Sequence, residues 1–366
     1  VTEENAHRYD FIDSIRGIAA LCVVFEHVLG ILAKHMGPEQ VAFADAIVNR
    51  FGFGKFGVVL FFIVSGFVVP FSLRGPRWQG LRHFAISRFF RLYPAYWVSI
   101  LAALILIPWA LDPPASVGSV LVNLTMLQQF VGVPNLMLLY WTLQIELIFY
   151  VFCAFVFVCG QLDKPRMIFR YALIFLASAL GLAAARYHFA LKLPVAVPLG
   201  LVMMCFGLLY RRGFLEQEAD AKRYAYWLLG LFGALMPVIA LLAYNQDMGF
   251  GERWTVYTVS YLSAVVAFIF LTTFMRLRQP FFVWLGRISY SVYLFHPIVI
   301  FLYRRTMGEA LYALPILLHF VIVSGLTLGL CHLLFIYIEA PSVLLGKRLT
   351  RSVKIRWPMS ERIPVN

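Results

Sequence analysis

Apolar residues in this chain do not alternate with polar ones; they come in blocks. Ten predominantly apolar runs, parted by short charged or Gly/Pro-containing segments, occupy most of the 366 positions. Runs of about 17 to 25 residues are long enough for helices that cross a hydrocarbon core about 30 Å thick. The pattern predicts spans at 12–33, 55–73, 90–111, 138–160, 171–185, 194–210, 225–243, 255–275, 288–303 and 313–338, the fifth and ninth being short. The expected fold is therefore all-α and polytopic. One integral membrane domain would cover residues 1–345, followed by a basic tail at 346–366.

Composition supports that setting. Hydrophobic residues make up 61% of the chain and charged residues 13%, with a mean hydropathy of +0.81; soluble domains run at roughly 45 to 50% apolar and 25% charged. A net charge of +13 raises the question of nucleic acid. Its distribution answers otherwise: with the N-terminus placed in the cytosol, the 31 Lys and Arg divide 23 to 8 in favour of the cytosolic segments. By the positive-inside rule this puts both termini inside, in a multi-pass protein of the plasma (inner) membrane. Membrane lipids, and an anionic cytosolic ligand, are then the partners that basic surface can attract. The five cysteines, all in spans and without a C-x-x-C pair or a His spaced for a metal, read as small buried apolar residues. No metal is expected.

Ionisable residues inside apolar runs narrow the chemistry. Such a residue costs roughly 2.5 to 3.5 kcal/mol on insertion scales, so its persistence marks a candidate functional site. Arg16 and His27 lie eleven residues apart in the first span, about 16 Å along a helix axis, with the arginine near one mouth and the imidazole deep. Asp13 shares a helix face with Arg16 and can pair with it at the rim. Arg88 and Arg91, three apart at the start of the third span, offer two planar donor forks to phosphate oxygens, or serve as an ordinary basic flank. In Trp141-Thr-Leu-Gln-Ile-Glu146 the carboxylate lies about 12 Å below the outer surface, a depth at which it can meet His27. Ser65, beside Gly66, fits close helix packing as well as a polar role, and His296, before Pro297, fits a locally broken helix. His35, His83, His188, His319 and His332 read as packing or loop residues. The segment 112–137, free of Lys and Arg, either dips back toward Trp141 or runs as a plain surface connection.

Six segments together carry a resemblance. They are Phe11-Ile-Asp-Ser-Ile-Arg-Gly-Ile-Ala-Ala-Leu with His27 beyond it, Phe62-Ile-Val-Ser-Gly-Phe67, Arg88-x-x-Arg91-Leu-Tyr-Pro94, Trp141-Thr-Leu-x-x-Glu146, Ile288-Ser-Tyr-Ser-x-Tyr-Leu-x-His296 and Tyr337-Ile-Glu-Ala-Pro341. In that order the chain resembles the acyltransferase-3 family of integral membrane acyltransferases. The resemblance implies transfer of an acyl group, usually acetyl from acetyl-CoA, to a hydroxyl of a glycan or other extracytoplasmic acceptor of the cell envelope. It also implies His27 as the catalytic residue and Arg16, Arg88 and Arg91 as the cations of the acyl-CoA side. No SGNH-type block follows the tenth span, so transfer is expected to finish within the membrane domain.

The expected mechanism has His27 act as general base on the acceptor hydroxyl while Glu146 orients its ring, with Asp13, Ser65, Trp141 and His296 in support. In a rival version His27 takes the acyl group itself. A different class, a proton-coupled transporter, would use His27, Glu146 and His296 as a relay. A noncatalytic scaffold leaves the buried ionisable groups without a purpose. The acceptor, the acyl chain length and the oligomeric state have no signature in the sequence.

Overall fold

The computed structural model describes residues 9–248 and 251–352. Among these residues there is no strand; the α-helices are α1 (Asp10–Leu32), α2 (Pro38–Val48), α3 (Phe53–Val68), α4 (Arg77–Leu106), α5 (Val117–Leu124), α6 (Trp141–Val158), α7 (Pro165–Phe189), α8 (Ala196–Tyr210), α9 (Ala219–Tyr244), α10 (Trp254–Phe270), α11 (Pro280–Met307), α12 (Ile316–Leu334) and α13 (Ala340–Ser352). Ten helical segments among the described residues are long and apolar enough to cross a membrane, one for each expected span. Their ends differ from the apolar runs where charge is admitted into a helix. The fifth runs from Pro165 to Phe189 and the ninth from Pro280 through Met307, taking in Arg186 and Arg287, whose charge had truncated the apolar runs. The expected tail begins inside α13, and its residues 353–366 lie outside the described part.

Two helices form the centre. The membrane-crossing windows of α8 and α11 are each 83% buried, whereas that of the last span is 22% buried and faces outward. Helix α11 lies along α1, which in turn packs on α3, and α3 packs on α8. Absent side chains allow these close approaches: a Cβ on Gly286 of α11 would overlap the Asp13 carbonyl of α1, and one on Gly66 of α3 would overlap the Met204 carbonyl of α8. Small residues at such crossings are the usual route to tight helix packing in lipid, where dispersion contacts replace the hydrophobic drive of water.

Prolines inside helices leave carbonyls that need other donors. Pro94 in α4 cannot donate to Phe90, and the Ser342 hydroxyl of α13 donates to that Phe90 carbonyl instead, at 2.9 Å. Around Pro297, α11 stays helical, so His296 occupies a continuous helix rather than a broken one.

The segment between α4 and α6 folds back. Tyr93, Tyr96 and Trp97 of α4 donate to the carbonyls of Thr125, Asn123 and Leu124 at 2.9, 2.7 and 2.9 Å. Trp97 is nine residues before the end of α4, so α5 terminates about 14 Å back from that end. The segment 112–137 thus folds back, but along α4 rather than onto Trp141. The Asn123 side chain closes the fold by donating to the Ser119 and Pro134 carbonyls and accepting from the Leu136 amide.

Candidate active site

His27, near the C-terminal end of α1, is half-buried; His296 of α11 is fully buried. Close packing of these two helices brings their rings together, with His27 Nδ1 2.9 Å from His296 Nε2 and the ring centroids 4.9 Å apart. The protons follow from the partners. His296 Nδ1 lies 3.0 Å from the Val292 carbonyl, which can only accept, so Nδ1 carries the hydrogen and Nε2 is left as an acceptor. His27 must then donate from Nδ1, and its own Nε2 keeps a lone pair. The arrangement yields an imidazole held in one tautomer, with its second nitrogen able to take a proton.

A cavity with about 780 Å³ of space not filled by atoms, open solvent at its mouth included, lies between α1, α3, α4, α6 and α11; neither histidine is among its lining residues. Arg16, Arg88 and Arg91 line it together with Glu146, Tyr150, Ser65 and Ser289, and it reaches Thr142 and Tyr293. Tyr293 is one turn before His296 in α11, and the two ring centroids are 6.1 Å apart. Its hydroxyl lies 2.7 Å from Thr142 Oγ1 and 3.1 Å from the Leu139 carbonyl. The cavity thus runs from the three arginines to Tyr293, whose ring is the lining group beside His296.

Each arginine is held differently. Arg16 lies 3.8 Å from Asp13, which is 35% exposed. Arg88 donates to Ser72 Oγ at 2.8 Å and its guanidinium is 5.5 Å from the centroids of both the Phe84 and Tyr150 rings. Arg91 Nη1 is 3.2 Å from Oε1 of the buried Glu339. Three carboxylates, Asp13, Glu146 and Glu339, therefore accompany the three guanidinium groups, and the formal charge of the six sums to zero. Only Glu146 of the three carboxylates lines the cavity, so the site offers an anion both an excess of guanidinium groups and fixed geometry.

Glu146 does not orient His27. Its carboxylate accepts from the Tyr150 hydroxyl one turn along α6 and faces the arginine-lined cavity. The depth argument fixed only one coordinate. Helix α6 packs on α3, α4 and α8, while α11 lies along α1, so the ring partner of His27 comes from α11. The relay of a transporter loses its middle member in the same way. Ser65 lines the cavity, and Asp13 pairs with Arg16 as expected. Trp141, at the start of α6, is half-buried and is not among the cavity-lining residues.

A family model described as an acyltransferase domain matches residues 9–336, nearly the whole chain. The chain belongs to the acyltransferase-3 family. It is a membrane acyltransferase, all-helical in its described part. No curated protein and no solved structure matches it significantly.

The matched stretch contains Arg16, His27, Arg88, Arg91, Glu146 and His296. Tyr150, Tyr293 and Glu339 were absent from the sequence-derived candidates for this acyltransferase. Tyr150 is marked only by its four-residue spacing from Glu146, and Tyr293 by its place in the Ile288–His296 segment, one turn before His296. Glu339 carries a stronger signal, a carboxylate at the end of the tenth apolar run and inside the Tyr337–Pro341 segment. The packing histidine reading fits His319, whose Nε2 donates to the Leu311 carbonyl at 3.2 Å and whose Nδ1 accepts from the Tyr303 hydroxyl at 2.6 Å.

Proposed function

We propose that this acyltransferase moves an acyl group, acetyl in the first instance, from cytosolic acyl-CoA to a hydroxyl of an extracytoplasmic acceptor, a glycan of the cell envelope or a secreted glycan. The observation that carries the reading is the cavity lined by Arg16, Arg88 and Arg91 at one end and reaching Tyr293, one turn from the His27–His296 pair, at the other. The donor joins a polyanionic nucleotide to a long neutral arm ending in a thioester. Planar guanidinium forks suit its phosphate oxygens, and an apolar passage past Phe61, Phe62 and Val64 suits the arm. The 23-to-8 division of Lys and Arg supports placing the arginine mouth in the cytosol.

In this mechanism His27 Nε2 takes the proton of the acceptor hydroxyl as its oxygen bonds to the thioester carbonyl carbon. The carbon–sulfur bond then breaks, and the imidazolium returns the proton to the departing CoA thiolate. His296 accepts the His27 Nδ1–H throughout, holding the ring in the tautomer that leaves Nε2 bare. Exclusion of water from the passage protects the thioester from hydrolysis.

The test combines chemistry and cells. Detergent-purified protein should bind CoA saturably, with binding weakened by Arg88→Ala or Arg91→Ala. Mass spectrometry of envelope glycans from cells with and without the protein should reveal an acyl group that depends on it. Normal acylation by His27→Ala would defeat the mechanism, and an acyl group trapped on His27 without acceptor would replace the base role with a carrier role.

A further inference from the structure

Glu339 is a fully buried carboxylate behind the cavity wall, paired with the lining residue Arg91. It closes a π-helical turn, Phe335–Glu339, between α12 and α13, three residues beyond the stretch matched by the family. A π turn has poorer hydrogen-bond geometry than the α-helix around it and commonly marks a functional position. Here it delivers a carboxylate to two partners: Oε1 lies 3.2 Å from Arg91 Nη1, and Oε2 accepts from Ser291 Oγ at 2.9 Å. Ser291 is on α11, five residues before His296. The Arg91 side chain is 25% exposed and lines the cavity, so its guanidinium is ion-paired with Glu339, whose Oε1 has no other partner among the described residues, while part of it is turned toward the space where donor phosphates are placed above.

We propose that Glu339 is a positioning residue for the acyl donor: it fixes the guanidinium of Arg91 so that the remaining donors present a preset fork to phosphate oxygens. This rests on the donor assignment under Proposed function. Pre-orientation removes rotamer entropy that a free arginine would lose on binding. Because Ser291 and His296 share α11, one helix braces both the anion clamp and the base. Tyr290, between them in role, donates to the Leu92 carbonyl of α4 at 2.8 Å and ties α11 to the residue next to Arg91.

Charge balance gives this proposal a sign. Glu339→Gln raises the formal charge of the cluster from zero to +1, so a carboxylate that merely competed with the ligand would, on removal, let anions bind more tightly. A positioning carboxylate predicts the opposite. The experiment compares CoA with S-acetylpantetheine, which lacks the phosphates, on the purified full chain. Glu339→Gln should raise the Kd for CoA at least tenfold and leave that for S-acetylpantetheine within about twofold. Ser291→Ala, a milder change, should weaken CoA about threefold with the same selectivity, and it decides the matter if Glu339→Gln does not fold. In an Arg91→Lys background the Glu339 substitution should add less than twofold, because the fork is already gone. Unchanged or tighter CoA binding overturns the proposal, as does equal weakening of both ligands, which would mean that Glu339 holds the cavity's shape. Wild-type protein that binds no CoA overturns the donor assignment and the proposal with it.

Discussion

Two buried histidine contacts sit on α11, and they differ in what they leave over. At one end Tyr303 of α11 meets His319 of α12, and both ring nitrogens of His319 are taken, one by the Tyr303 hydroxyl and one by the Leu311 carbonyl. Deeper along the helix His296 meets His27 of α1, a ring also hydrogen-bonded to the Val23 carbonyl; the chain that starts at the Val292 carbonyl ends at His27, with no partner for its Nε2 among the described residues. A satisfied ring stabilises packing; a ring held by one nitrogen with the other left over can do chemistry. The distinction lies in counting partners, since both residues are imidazoles in apolar runs of similar length.

The largest effect that tests this contrast is removal of the base. His27→Ala should lower acyl transfer by about 10²- to 10⁴-fold, measured as acylated acceptor per purified protein, with the thermal midpoint changed far less than the rate. Loss of the positioning ring comes next. His296→Leu should reduce the rate by about 10- to 100-fold, while His296→Gln, whose amide oxygen can still accept the His27 N–H, should retain more activity than the Leu variant. If Leu and Gln variants behave alike, His296 acts through bulk packing and the contrast with His319 weakens.

Acidification offers a smaller and reversible perturbation. His27 must be neutral to accept the hydroxyl proton, so the transfer rate should fall with decreasing pH, by at most about tenfold per unit, in the range where an imidazole gains its charge. A rate that rises on acidification would contradict the base role. At the satisfied contact the effect falls on stability instead of activity: Tyr303→Phe should cost about 1 to 3 kcal/mol of stability by leaving a buried nitrogen unpartnered, yet leave acyl transfer within about twofold. A large rate loss there would erase the distinction between the two contacts.

The spans were legible because an apolar run as long as a bilayer is thick has few other uses, and the charged ends of α4, α7 and α11 were blurred because helices continue past the apolar run. Arg16 and His27 stood out as costly residues in costly places, and Arg88 with Arg91 by their three-residue spacing at the mouth of a span. The His27–His296 pair did not. Its members are 269 residues apart, and helix depth alone matched His27 equally well with Glu146. Azimuth and neighbour, set by the fit of Gly286 against Asp13 in the α1–α11 crossing, chose between them. Glu339 was visible as a buried acid but had no spacing relation to Arg91; only the approach of α13 and its preceding π turn to α4 joins them.

Nitrogen-15 NMR of histidine-labelled protein in lipid nanodiscs, with His27 assigned by substitution, reads the central claim without any acceptor. The account predicts a neutral His27 protonated at Nδ1, coupled across a hydrogen bond to His296, with Nε2 bare. A His27 protonated at Nε2 with Nδ1 bare would contradict it.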